Sequence, residues 1–267
     1  DFQSFSTLTL EGNGNVLLEA DEINLPSPSG TISGNGLLTL RPKTLTQTIA
    51  LGSPQSVSDT LSILSLTATE LMALTSTFTE IVIGHRNEVS SGVWHTASAS
   101  MNQVTVGGAN TANSSDPLFF SNLSVYGNSI TVSDYSGSAF SLGLAEGKLL
   151  KLDAKADITI ANAIEADSIE LYSAAGSISQ TNASDRDSVT DEAIRSLELG
   201  GWPQTGVNLG SVETTYLDVQ NTGSGAITVV ANAARSGARL SNTQITGDVQ
   251  LVRLAQTNAS GGDLSLT

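Results

Sequence analysis

The chain has 267 residues, 39% of them hydrophobic but only 4% aromatic and 14% charged. That is enough for a sizeable core built from Val, Ile, Leu and Ala, with a surface made polar by Ser, Thr, Asn, Gln and Gly, a balance that suits strands rather than a helical bundle. With 11 Lys+Arg against 26 Asp+Glu the net charge is −15, which disfavours nucleic acid and anionic membrane surfaces as partners. There are no cysteines, so a disulfide framework, a thiolate metal site and a cysteine nucleophile are excluded. No apolar run reaches the length of a membrane span, so no membrane insertion is expected.

Along the chain, short phrases with an apolar, small-polar, apolar beat recur: Leu8-Thr9-Leu10, Leu38-Thr39-Leu40, Val104-Thr105-Val106, Ile130-Thr131-Val132, Ile158-Thr159-Ile160 and Leu264-Ser265-Leu266 are examples. This period of two predicts strands with one buried and one polar face. The first 66 residues read as strand, turn, strand, with Gly12-Asn13-Gly14-Asn15 and Ser33-Gly34-Asn35-Gly36 as turns and Pro26-Ser27-Pro28-Ser29-Gly30 as a loop. Residues 67–78 break the pattern. Thr67-Ala68-Thr69-Glu70 has the form of a capping box, so a short helix is expected there. A second short helix is expected over 188–197, with Ser188 and Asp191 as caps and Ala193, Ile194 and Leu197 as the apolar stripe.

From residue 120 the spacing becomes regular. Ile130, Leu149 and Ile169 form one row at steps of 19 and 20, and Ile158 and Ile178 form a neighbouring row at a step of 20. Further on, Ile227 and Val249 are 22 apart, and Leu217, Leu240 and Leu264 are 23 and 24 apart. Interleaved rows at similar steps predict stacked coils, a solenoid in which each coil carries two or three strands. Glycines between strands, among them Gly127, Gly176, Gly247 and Gly261, are expected at coil corners with positive φ. A β-sandwich or antiparallel barrel would need hairpin turns every 8–12 residues, and gives no reason for phrases to resemble one another at the longer step. The expectation is one solenoid domain over 1–267 with an irregular insertion at about 185–210, giving roughly ten to twelve coils and a rod of about 50 Å, less what the loops consume.

Residues 49–92 resemble a known repeat. Leu61-Ser62-Ile63-Leu64-Ser65-Leu66-Thr67-Ala68-Thr69-Glu70-Leu71 followed by Phe78-Thr79-Glu80-Ile81-Val82-Ile83-Gly84 is similar to a unit of very large bacterial surface adhesins, the filamentous-haemagglutinin-like exoproteins. Leu38-Thr39-Leu40-Arg41-Pro42-Lys43, Ala174-Ala175-Gly176-Ser177-Ile178-Ser179-Gln180-Thr181 and Gly262-Asp263-Leu264-Ser265-Leu266-Thr267 also resemble parts of that unit. The resemblance spans most of the chain and departs at 185–210. It implies a right-handed parallel β-helix, export and a place at the bacterial cell surface. It transfers no catalytic residue, because such shaft repeats carry none.

The search for chemistry finds little. His85 and His95 lie ten apart in a predicted loop or coil edge, with neither metal-binding spacing nor a catalytic motif around them. Carboxylate pairs that a polysaccharide lyase or glycoside hydrolase could use are Asp153, Asp157 and Asp167, or Asp185, Asp187 and Asp191 with Arg186 and Arg195 nearby. A solvated loop with local ion pairs is the favoured reading of the second set, since an acidic surface would repel a polyanionic substrate. Asp185, Asp187 and Asp191 are also the candidates for calcium, though without an EF-hand loop or a nonapeptide repeat. No cofactor is expected. Trp94 and Trp202, in Gly/Pro-flanked contexts, could stack on a glycan or anchor a protein partner, or else plug a loop onto the side of the solenoid.

The leading expectation is therefore an extracellular structural and adhesive segment. It would stack on flanking repeats or on copies of itself end to end, and its loops would meet a glycan or protein on a host or neighbouring cell. The alternatives are a β-helical carbohydrate-active enzyme and a glycan- or ice-binding module. The last needs flat Thr rows in register, and Thr-x-Thr does not recur in register here.

Overall fold

The computed structural model describes residues 8–9, 14–25, 32–53, 62–71, 73–74, 77–88, 94–96, 102–107, 119, 121–133, 142–144, 148–161, 164–165, 168–173, 177–180, 189–191, 196–200, 207–209, 217–221, 227–245, 249–256 and 263–266. The fold is all-β. One helix, Ala68–Leu71, stands among the described residues, and its N-terminus is built as the sequence predicts. The Glu70 amide donates to Thr67 Oγ1 at 3.3 Å while the Thr67 amide donates back to Glu70 Oε2 at 2.9 Å, so each satisfies the other's orphan group. Glu70 also accepts from the Leu25 amide at 3.1 Å, tying this turn to an earlier part of the chain.

Nearly all the strand pairing is parallel, and it runs in three ladders. The first joins Val16–Glu19, Leu37–Arg41, Glu80–Gly84, Asn122–Gly127, Leu149–Ala154, Ser168–Ser173 and Ser196–Gly200, then continues through Ile227–Ile245 to Val249–Gln256. The second joins Thr48–Ser53, Gln103–Val106, Ser129–Val132, Ile158–Ile160, Ser177–Gln180 and Val207–Leu209. The third joins Leu142–Gly143, Ile164–Glu165, Val189–Asp191 and Leu217–Asn221. Between the first two ladders the pairing carries on through the bend: Lys155 N donates to Gly127 O at 3.0 Å and Ala156 N to Asn128 O.

Register places like on like. Leu38, Ile81, Leu123 and Leu150 are consecutive partners, as are Leu40, Ile83, Val125 and Leu152. In the second ladder Ile49, Val104, Ile130 and Ile158 stack, as do Leu51, Val106, Val132 and Ile160. All sixteen of these side chains are buried in one hydrophobic cluster. The residues between them (Thr39, Ala50, Thr105, Thr131, Lys151, Thr159) point to the other face, which is the alternation read from the sequence. Burying aliphatic stacks removes apolar area from water at about 25 cal/mol per Å², and this stabilises the ladders without aromatic residues.

Three expectations are corrected here. Residues 188–197 contain no helix among the described positions: Val189–Asp191 and Ser196–Gly200 are strands. The reason is tertiary pairing, in which Leu197 and Leu199 partner Ile169 and Leu171, so a stripe that suits a helix is used with a period of two instead. Both strands, with Val207–Leu209, fall inside the stretch expected to be irregular. Second, Ile130 does not share a row with Leu149 and Ile169. It partners Ile158, which partners Ile178, whereas Ile169 partners Leu150.

The third correction concerns glycine. Among the described residues the glycines with positive φ are Gly52 and Gly84, not the corner glycine Gly127. At Gly127 a Cβ would come within 2.7 Å of Val104 Cγ2, so glycine serves close packing between ladders there rather than an unusual backbone angle. The other corner glycines named above lie outside the described residues.

The step between paired strands varies widely. Residues bonded across neighbouring strands are 22 apart at Glu19–Arg41, 27 apart at Asn122–Leu149 and 44 apart at Glu80–Ser124. The longest steps accommodate inserted segments. One of these is the single antiparallel pair among the described strands, Arg86–Glu88 with Trp94–Thr96. A second complication is at Ile63–Thr67, which pairs with Thr48–Ser53 on the side away from Gln103–Val106.

Candidate functional site

Among the described residues, a dense group of ionisable side chains lies on the outer side of the first ladder, around Tyr126. The alternation that sends Leu123, Val125, Leu150 and Leu152 into the core sends Ser124, Tyr126, Lys151 and Asp153 the opposite way. Such positions are normally solvated, yet Tyr126 is 1% exposed, Asp153 2% and Ser124 3%. The inserted hairpin accounts for part of this, since its second strand, Trp94–Thr96, lies against Asn122–Gly127 and Leu149–Ala154.

The group is knitted together. Ser124 Oγ donates to Glu80 Oε1 at 2.5 Å, Arg86 Nη1 stands 3.7 Å from Glu80 Oε2, and the Arg86 side chain hydrogen-bonds Tyr126. Lys151 Nζ is 5.9 Å from the centre of the Tyr126 ring and 4.0 Å from Glu170 Oε2, its register neighbour on the next strand. Burial pushes the Tyr126 phenol well above its ordinary value of 10.0, and the negative charges of Asp153 and Glu80 push it further, with Arg86 opposing them. The group thus holds a neutral phenol among carboxylates, a guanidinium and an ammonium.

A second constellation sits at the bend beneath it. His85 is 7% exposed, and its Nε2 is 2.9 Å from the Pro42 carbonyl oxygen, which fits an Nε2–H donor. Burial lowers its pKa below 6.5 and the Arg41 charge lowers it further, against opposing contributions from the Pro42 bond and Glu19. Arg41 itself pairs with Glu19 at 2.6 Å on the adjacent strand. Nearby, Asp21 accepts from the Thr44 amide at 2.6 Å and its hydroxyl at 2.8 Å, and buried Asn102 donates to the Gln47 carbonyl at 2.6 Å. Burial by itself raises the Asp21 carboxyl, but the Thr44 bonds and the Lys43 charge outweigh it and leave the pKa lowered. These bonds satisfy backbone groups where the chain turns between ladders.

The residues singled out from the sequence are scattered. Asp153 belongs to the Tyr126 group, but Asp157 is exposed at the bend beyond Leu149–Ala154, and Asp167 lies outside the described residues. Asp153 and Asp157, two of the three carboxylates in the first candidate set, are thus not brought together as a buried pair. Asp185, Asp187, Arg186, Arg195 and Trp202 also lie outside the described residues. Asp191 is in a strand, paired with Asn221. Trp94 is in a strand of the hairpin opposite Glu88, not in a loop, and His95 is opposite Asn87. His85 is a buried bend residue rather than a surface one. Among the described residues no group of three or more His, Asp or Glu side chains could hold a metal ion.

Tyr126, Arg86 and Glu80 were not picked out in the sequence. No local motif joins them, because they converge through register between strands and through a hairpin that folds back. One local signal did exist: Tyr126 occupies an outward position of Leu123-Ser124-Val125-Tyr126, where a solvated strand face favours Ser or Thr.

No protein-family model, curated protein or solved structure matches this chain.

Proposed function

We propose that this chain is a stretch of a right-handed parallel β-helix serving as the extracellular shaft of a large bacterial surface adhesin, of the filamentous-haemagglutinin-like kind that its repeats resemble. The observation that carries the reading is the in-register stacking of aliphatic residues along two ladders, Leu38-Ile81-Leu123-Leu150 and Ile49-Val104-Ile130-Ile158. A fold made of such stacks is a rigid spacer: each coil buries its apolar face only against its neighbours, and stability grows with each added coil. Inserted segments such as the hairpin leave the stack undisturbed and so are free to vary as contact surfaces. The acidic surface favours a basic or neutral glycan partner over a polyanion.

The Tyr126 group supports a second reading, a β-helical polysaccharide lyase or hydrolase, because it gathers carboxylates, a phenol and cations on one sheet face. Its near-complete burial is the reason for ranking it second, since a substrate must reach the group that reacts with it. One experiment separates the two. Beads coated with the purified chain are expected to attach to cells or to a glycan array, and the same protein is expected to leave acidic polysaccharides intact. Cleavage of a polysaccharide without attachment would overturn the shaft reading in favour of the enzyme.

A further inference from the structure

We infer that the turn Ser33-Gly34-Asn35-Gly36 is a self-modification site, at which the Gly36 backbone nitrogen closes on the Asn35 carboxamide and converts Asn35 to aspartate and isoaspartate. The turn joins the strand Ile32–Ser33 to Leu37–Arg41. Asparagine is among the chemically labile side chains, and the residue that follows it governs how readily its own backbone nitrogen attacks. Glycine places no side chain beside that nitrogen, and Asn35 is the one described asparagine that glycine follows. Gly36 does not have a positive φ, so backbone angle alone does not call for glycine here. Asn35 is exposed, so water reaches its carboxamide. Three other asparagines are placed differently. Asn15 Oδ1 accepts from the Leu37 amide at 3.1 Å and Asn122 Oδ1 from the Leu149 amide at 3.0 Å, and the residues after them are Val16 and Leu123. Asn102 is fully buried and donates to the Gln47 carbonyl at 2.6 Å.

The Gly36 nitrogen loses its proton to solvent base and bonds to Asn35 Cγ. The Cγ–Nδ2 bond breaks, ammonia leaves with a proton from solvent, and a cyclic imide is closed. Water then adds to one imide carbonyl. Breaking the bond from nitrogen to Cγ gives aspartate, and breaking the bond from nitrogen to the main-chain carbonyl carbon gives isoaspartate. The net change consumes water and releases ammonia. Its place in the fold gives the reaction a consequence, because bonds leave the turn on both sides. The Leu37 amide reaches Asn15 on the preceding rung, and the Gly36 carbonyl accepts from the Thr79 amide at 3.0 Å, where the chain enters the following rung. Isoaspartate routes the main chain through the Asn35 side chain and lengthens it by one carbon, which shifts Gly36 and Leu37 relative to those partners.

The test keeps the unmodified chain folded in mildly alkaline buffer and follows each asparagine by peptide mass spectrometry, with isoaspartate detected by enzymatic methylation. Asn13-Gly14 is the chain's other Asn-Gly pair, and Asn13 lies outside the described residues; cleavage after Glu19 and Glu22 lets the two sites be read separately. Asn35 is expected to convert before Asn15, Asn102 and Asn122. Asn35→Gln, at an exposed position, is expected to remove the signal from its peptide with the fold unchanged, and Gly36→Ala to slow conversion several-fold. An Asn35 amide that persists while Asn15, Asn102 or Asn122 converts would overturn the inference, and so would conversion of Asn35 only in denaturant. Protein carrying isoaspartate at position 35, once separated, is expected to exchange the amides of Leu37–Arg41 about tenfold faster than the parent. Equal exchange would overturn the consequence for the first ladder.

Discussion

Gly84 and Tyr126 are register partners on adjacent parallel strands, and a Cβ added to Gly84 would overlap the Tyr126 carbonyl oxygen. The neighbour in the way is backbone, which cannot swing aside as a side chain can, and Gly84 also has φ +87. Gly84→Ala is therefore expected to destabilise the chain by more than the ~1 kcal/mol typical of a glycine replacement at a positive-φ site. Gly127→Ala meets Val104 Cγ2 at 2.7 Å and two backbone oxygens at 3.2 Å, but without a positive φ, and is expected to cost less. Denaturant midpoints of the two variants, compared side by side, check the order; equal midpoints would contradict it.

The register of the second ladder can be tested by chemistry that the native chain cannot confuse, since it has no cysteine. Thr131 and Thr159 are partners on neighbouring strands and both are partly exposed. Parallel strands about 4.8 Å apart fall within the Cα separation a disulfide tolerates. Thr131→Cys with Thr159→Cys is expected to crosslink on oxidation or with a short thiol reagent. Thr131→Cys with Leu150→Cys, the pairing that a row through Ile130 and Leu149 implies, is expected not to.

Core truncation should be costly in proportion to burial. Leu152 is completely buried in the shared core, so Leu152→Ala is expected to lose about 2–5 kcal/mol. The exposed Gln103 is the control, and Gln103→Ala should stay within about 0.5 kcal/mol of the parent. Similar unfolding curves for the two would contradict the placement of the core.

The capping box gives a more local test. Glu70 accepts from the Thr67 amide and hydroxyl and from the Leu25 amide. Glu70→Ala removes the acceptors of all three bonds and is expected to cost about 0.5–2 kcal/mol, with Glu70→Gln recovering part of the loss because its amide oxygen still accepts. A Gln variant no better than Ala, by thermal unfolding, would mean that charge rather than acceptance matters.

Among the described residues, His85 and Tyr126 act on stability with pH at opposite ends. His85 has its pKa lowered in the folded chain, by burial first and by Arg41 second, so the unfolded chain takes up this proton more readily. Its contribution is present above pH 6.5 and is lost as the pH falls through that value toward the folded-state one. Tyr126 has its pKa raised, by burial first and by Asp153 and Glu80 next. Its contribution is present below pH 10 and is lost as the pH rises beyond it, when the unfolded chain ionises more readily. His85→Gln should flatten the acid limb of a stability–pH curve and Tyr126→Phe the alkaline limb. A His85→Gln variant with an unchanged acid limb would remove His85 from this account.

Much of this was legible in the chain and some was not, and the division follows the range of the forces. The apolar beat of phrases such as Ile158-Thr159-Ile160 determined strands and their buried faces, because side-chain alternation is a property of the extended backbone itself. Thr67 and Glu70 likewise announced their helix start, since a capping box closes within one turn. What the tertiary structure decided is which strand stacks on which. Ile130 joins Ile158 rather than Leu149, and Leu197 joins a sheet rather than a helix, because connecting segments of unequal length decouple sequence spacing from spatial rung, and pairing with a neighbouring strand outweighs the small local propensities. The same cause hid the Tyr126 group: Glu80 and Arg86 are far in the chain from Tyr126, and Tyr126 from Asp153, and they become neighbours only through parallel register.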